Sequence, residues 1–252
     1  MLVRLQKIIA DRGYCSRRRA EELILEGKVF VDDKLENTLG NKFEEDKVII
    51  KIEDTILKPV VNKSFHYIML NKPIGYICSL KDDRGRKTVN MLLPKELGRL
   101  FPVGRLDINS SGLLLMTDDG EFSNLVMHPS SSLDKTYKVE IDGQLTMEDK
   151  KHLEQGIVLE DGITAPCKVN IISIEIGKTT FEITIHEGRN RQIRRMVEAI
   201  GHKTISLTRL RIGPIVMSNL HRGEFKEVPS NLVDEIKQTC KYNKEHNNYV
   251  KK

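Results

Sequence analysis

The 252-residue chain suffices for one large domain or two unequal ones, and its 39% hydrophobic residues suffice for packed cores. Its net charge of +5 is too mild to mark a nucleic-acid binder by its total alone, so any such reading rests on where Lys and Arg cluster. No apolar run approaches the roughly 20 residues that span a bilayer, and Arg4 sits inside what would be the apolar part of a signal peptide, so a soluble, cytoplasmic protein is expected.

Along the chain, Leu5, Ile8 and Ile9 form one helical stripe and Ala20, Leu23 and Ile24 another, separated by Gly13. Ser16 is a good N-cap for the second helix and Gly27 a good stop. From Lys28 to Glu36 the pattern reads as a strand entering a turn at Asp32-Asp33, and Val48 to Ile52 closes a small domain over 1–60. A polar linker over 61–65 follows Pro59. In the larger domain, 66–240, strands are expected at His66 to Leu70, Gly112 to Met116, Tyr137 to Ile141 and Phe181 to Ile185, with helices at Glu121 to Met127, Met147 to Gln155 and Arg191 to Ile200. The order implies an α+β fold with a largely antiparallel or mixed sheet. The basic tail 241–252 is expected to fray.

The first 60 residues hold twelve basic and twelve acidic side chains, yet Arg12, Arg17, Arg18 and Arg19 crowd one helix start. Arginines in a first turn oppose the helix dipole, at about 0.3 to 1 kcal/mol each. A phosphate would compensate by accepting from the free N–H groups of that turn. Solvated charge offset by Glu21 and Glu22 is the bland alternative. The four scattered cysteines, without a Cys-x-x-Cys pair, and the dispersed histidines suit reduced thiols and no metal site.

Asp107 lies in Phe101-Pro-Val-Gly-Arg-Leu-Asp, just before an apolar strand. In an extended segment Arg105 and Asp107 share one face and Leu106 points into the core. A turn aspartate bonded to its own backbone explains the same residues. Asp107-x-Asn109-x-Ser111-Gly112 also imitates a calcium loop, but Pro102 and Gly104 oppose an entering helix and the bidentate Glu is missing.

The run Val103-Gly-Arg-Leu-Asp-Ile-Asn-Ser-Ser-Gly-Leu-Leu-Leu-Met-Thr-Asp-Asp-Gly-Glu resembles the active-site motif of bacterial ribosomal RNA pseudouridine synthases. Asn71-Lys72-Pro73-x-Gly75, Met127-His128-Pro129, Lys135-Thr136-Tyr137 and His186-Glu-Gly-Arg-Asn-Arg-Gln-Ile-Arg-Arg-Met follow in family order. The helix pair and hairpin ahead of them resemble the small RNA-binding domain named after ribosomal protein S-four. Within the family the chain resembles the RsuA/RluB type, whose members modify small or large ribosomal subunits. By Glu187-Gly-Arg-Asn-Arg and Met127-His-Pro it looks closer to the RluB, or large-subunit, enzymes.

The resemblance implies isomerisation of uridine in ribosomal RNA, 23S or a pre-ribosomal particle, with Asp107 as the essential carboxylate and no cofactor, by a chain expected to be a monomer. It pairs Asp107 with Arg194, which also lies at the edge of the buried stripe Ile193, Met196, Val197 and Ile200. Tyr137, on the inward face of its strand with Val139 and Ile141, is implied to contact the flipped uracil. Arg105 is implied to fill the vacated stack. Lys72, Arg189, Arg191 and Arg195 are expected RNA contacts. The rivals are the same chemistry on 16S RNA, a non-catalytic ribosome-assembly factor, and a nucleosidase, which would need a second essential carboxylate.

Overall fold

The computed structural model describes residues 1–59, 64–80, 82–217 and 219–247, and the chain divides into two compact units, Met1–Phe65 and His66–Lys252. Most of the expected linker and the last five residues of the expected tail lie outside the described residues.

The first unit runs β1 (Leu2–Arg4), α1 (Leu5–Asp11), α2 (Arg17–Leu25), β2 (Val29–Val31), β3 (Lys34–Leu35), β4 (Lys42–Glu44), β5 (Ile50–Ile52) and β6 (Thr55–Leu57). Both helical stripes, with Val29, Ile50 and Ile52, close one apolar core. Ser16 caps α2 by accepting from the Arg19 amide at 3.1 Å. Asp32 and Asp33, at φ 48° and 63°, make the two-residue turn between β2 and β3, a conformation that matches the strand twist. β3, β2, β5 and β6 form a four-stranded sheet in that order, and β1 pairs with β4.

The second unit runs β7 (Tyr67–Lys72), β8 (Phe101–Val103), β9 (Ser111–Thr117), α3 (Gly120–Met127), β10 (Lys135–Asp142), α4 (Met147–Gln155), β11 (Val158–Leu159), β12 (Gly162–Ile163), β13 (Lys168–Glu175), β14 (Lys178–Ile185), α5 (Gln192–Ala199), β15 (Thr204–Ile212), β16 (Ile215–Val216), β17 (Phe225–Glu227) and α6 (Ser230–Asn247). Its sheet orders the strands β13-β14-β10-β15-β9-β7-β17, with β8 against β9 and β16 against β15. Among the described pairings between the strands of this sheet, β9–β15 is parallel and the others are antiparallel, so the sheet is mixed. Apolar clusters cover both of its faces: Tyr137, Val139, Ile193 and Met196 belong to one, Leu113, Leu115, Phe122 and Ile236 to the other.

The structure corrects two expectations. α6 continues through Asn247 instead of fraying from Lys241: Val233, Ile236 and Cys240 bury its earlier turns, and Asn243 Nδ2 donates to the Ser131 carbonyl at 2.7 Å. Asp107 does not stand on an extended strand; it lies in an irregular loop from Gly104 to Ser110. Leu106 nevertheless enters the core, as its apolar character requires.

Candidate active site

The site is built around that loop. Backbone carbonyls that leave regular structure need donors when they are shielded from water, and here five in succession find them. The Leu106 carbonyl accepts from Cys78 Sγ at 3.4 Å, Asp107 from Lys72 Nζ at 3.0 Å and the Ser110 amide at 3.1 Å, and Ile108 from the Gly75 amide at 2.8 Å. Asn109 accepts from Arg194 Nη2 at 3.0 Å and Ser110 from Lys72 Nζ at 2.8 Å. The backbone that carries the Asp107 carboxylate is therefore tied on every side.

Lys72 corrects an expectation. Its side chain is 0% exposed, and its ammonium donates to the carbonyls of Pro73, Asp107 and Ser110, so all three protons are used and none is left for an RNA backbone. Burial pushes its pKa below the ordinary lysine value.

Arg194 reaches the loop from α5. Its Nη2 also donates to Ser110 Oγ at 3.2 Å, and its Nε lies 4.0 Å from Asp107 Oδ2. That Nε has no hydrogen-bond partner among the described residues. Two opposite unit charges at this separation attract by about 4 kcal/mol at an effective dielectric of 20. Burial lowers the Arg194 pKa, Arg191 adds to that, and Asp107 opposes it.

Tyr137 is 8% exposed on β10, on the face that its alternation with Val139 and Ile141 indicates. In the strand register it stands opposite Arg209 of β15, whose Nη1 donates to the Tyr137 hydroxyl at 3.4 Å and whose Nε donates to the Leu113 carbonyl at 2.7 Å. Arg209 was not among the expected site residues. A signal was present: two residues beyond Leu207, it falls on the same inward face. Gly112 permits this junction, since a Cβ there would stand 2.2 Å from the Arg209 carbonyl oxygen, and its φ of +106° excludes most other residues.

Asp107, Tyr137 and Arg209 line one cleft of about 660 Å³, together with Arg105, Lys135 and Arg191. Arg105 and Arg191 are exposed, and Arg191 adopts φ 48° as the residue capping α5. Lys135 is half-buried, donates to the Leu133 carbonyl, and has its pKa pushed down to about 8 by burial and by Arg209. The second carboxylate in the cleft, Glu187, is taken by the Ala165 amide, the Gln192 side-chain amide and Arg189. It is held as a brace, which weakens the nucleosidase reading.

The other expected RNA contacts separate into two groups. Arg189 donates to the carbonyls of Asp161, Gly162 and Ile163, and Arg195 grips the Asp161 carboxylate with two bonds of 2.9 Å, so both brace the β11–β12 hairpin. Arg12 likewise donates to the carbonyls of Glu45, Val48 and Leu57, inside the first unit. Nearby carbonyls and carboxylates thus take up these three guanidinium groups within the fold. Arg17, Arg18 and Arg19 are exposed; Arg17 lies 3.8 Å from Asp11, and Arg19 pairs with Glu22 and Glu26. Among the described residues no group of three His, Cys, Asp or Glu side chains could hold a metal ion, and no helix is long and apolar enough to cross a membrane.

The family model for RNA pseudouridylate synthase matches residues 66–199, and that for the S4 domain matches residues 3–49. The chain is 44% identical to the ribosomal large subunit pseudouridine synthase B of Bacillus subtilis (strain 168), over 96% of this chain and 98% of that one. It is 41% identical to an uncharacterized RNA pseudouridine synthase of Aquifex aeolicus (strain VF5), over 90% and 91%. A crystal structure of a pseudouridylate synthase superposes with a TM-score of 0.67 at 29% identity, covering 93% of this chain and 99% of that one.

Proposed function

This chain belongs to the RNA pseudouridylate synthase family and carries an S4 domain, and on that premise we propose that it converts a uridine of large-subunit ribosomal RNA to pseudouridine. The observation that carries the reading is the cleft of Asp107, where its carboxylate faces a buried arginine at 4.0 Å beside an inward tyrosine. The reaction breaks the bond between uracil N1 and ribose C1′, turns the base, and joins C5 to C1′. A carboxylate at C1′ serves as nucleophile, base or electrostatic stabiliser, and each role needs it ionised. Arg194 stands beside it as its ion partner.

The target uridine must leave its stack to bring C1′ within reach. Tyr137 contacts the flipped uracil, Arg105 fills the space it vacates, and exposed Arg191 meets backbone phosphate at the cleft rim. Arg17, Arg18 and Arg19 anchor the RNA through its phosphates. Likeness to the Bacillus large-subunit enzyme supports 23S RNA over 16S RNA. We place this activity in the cytoplasm and assign it to a monomer.

Asp107→Asn tests the core of the reading, with ribosomal RNA binding and pseudouridine formation assayed side by side. Turnover should fall by at least about 10⁴-fold while binding stays within about threefold, because an amide keeps the shape and loses the charge. If the wild-type chain forms no pseudouridine in ribosomal RNA, the reading fails. Mapping pseudouridines in RNA from cells lacking the gene identifies the uridine and the subunit together.

A further inference from the structure

Arg209 is 4% exposed, yet among the described residues no carboxylate lies within ion-pair distance of it and its Nη2 has no hydrogen-bond partner. Buried guanidinium groups are costly unless an anion accompanies them. Two further cations, Lys72 and Lys135, are close enough for Arg209 to depress their proton affinity. Arg209 and Lys135 both line the cleft, and the side-chain oxygen that Arg209 meets is the Tyr137 hydroxyl. A guanidinium only donates, so the tyrosine oxygen accepts, and its own O–H is left to donate elsewhere. That hydroxyl has no other partner among the described residues, and Tyr137 lines the cleft with Asp107.

When N1 separates from C1′, both bonding electrons leave with the base. The uracil becomes an anion whose charge is shared by N1, O2 and O4. C5 then bonds to C1′, and the proton lost from C5 is balanced by one gained at N1, so nothing is oxidised or reduced. Donors aimed at the atoms where charge develops are the largest single aid to such a step.

Resting on the pseudouridine synthase reading, we propose that Arg209 is a positioning residue that polarises Tyr137, so that the tyrosine hydroxyl donates to the uracil oxygen on which charge collects as N1 leaves C1′. The test varies the leaving group. Transcripts of 23S ribosomal RNA made with uridine or with 5-fluorouridine are offered in single turnover, and loss of the N-glycoside is followed by nuclease digestion and mass spectrometry. Fluorine stabilises the departing anion by itself, so the enzyme's help matters less.

Arg209→Gln should lose about 100-fold on uridine and about tenfold or less on 5-fluorouridine, each relative to wild type on the same RNA. Arg209→Lys, which keeps the charge, should recover most of the rate on uridine. RNA binding by filter titration should not change. Equal losses on both RNAs overturn the proposal and leave Arg209 a packing residue, as does a Gln variant with wild-type rates. If Arg209→Gln does not fold, Arg209→Met carries the same comparison. A wild-type chain inert on both RNAs sinks the parent reading instead.

Discussion

The loop that carries Asp107 and the arginine-rich start of α2 both present charge from irregular backbone, yet they are built in opposite ways. In the loop every carbonyl from Leu106 to Ser110 is held by a donor from elsewhere in the chain, and two of the three donor side chains, Lys72 and Arg194, are buried cations. At α2 the Ser16 side chain caps the turn, while Arg17, Arg18 and Arg19 are exposed, Arg17 near Asp11 and Arg19 paired with Glu22 and Glu26 of its own helix end. A reacting carboxylate must stand within a fraction of an ångström of its target, whereas phosphate binding tolerates adaptable charge. On the proposed reading, rigidity is concentrated where the bond changes.

Lys72→Met is the strongest way to break this contrast. It removes one buried charge but leaves the carbonyls of Asp107 and Ser110 short of a donor, so stability should fall by about 3 kcal/mol. Pseudouridine formation should drop about 10- to 100-fold with RNA affinity unchanged, since the carboxylate is misplaced and the RNA anchor is intact. Urea unfolding and single-turnover assays check the two halves; a fully active variant would show that the loop needs no clasp.

Lys135 stands between the extremes, a half-buried cation with one carbonyl partner, faced by Arg209 from β15, Cys240 from α6 and its neighbour Asp134. Its folded pKa of about 8 lies below the ordinary 10.5, so the unfolded chain binds more protons between these values. Its contribution to stability therefore rises with pH across that window and is lost as pH falls through about 8. Lys135→Met should flatten the rise, a change on the order of 1 to 3 kcal/mol in the unfolding free energy from urea titrations compared across the window. An unchanged pH profile refutes it.

Replacing Arg17, Arg18 and Arg19 together with Ala should leave stability within about 1 kcal/mol, as expected for exposed ion pairs. RNA binding should weaken, and the dependence of log K on log salt should flatten by up to about 2 for three lost contacts to single-stranded RNA. An unchanged slope in filter titrations removes these arginines from the interface.

Much of this was legible in the residues. Alternation put Tyr137 inside, the buried stripe of α5 put Arg194 at its edge, and the collinear motifs identified the family to which both belong. The legible features are periodic or contiguous. What escaped was the partnering of charged groups: Lys72 and Arg12 looked like RNA contacts because a lone cation in a sequence carries no sign of the carbonyls that will surround it. Lys72 meets the Ser110 carbonyl 38 residues away, and Arg12 meets Leu57 45 residues away.

The sequence by itself determined the two-part organisation, the inward faces and the single motif carboxylate, because side-chain period and local turn chemistry act over a few residues. The tertiary structure alone decided which cations are taken up by the fold and which stay exposed. It set Arg189 and Arg195 on the β11–β12 hairpin, Lys72 beneath the loop and Arg209 against Tyr137. The reason is physical: a buried charge persists only where distant strands bring it enough acceptors, and those contacts exist only once the sheet has formed.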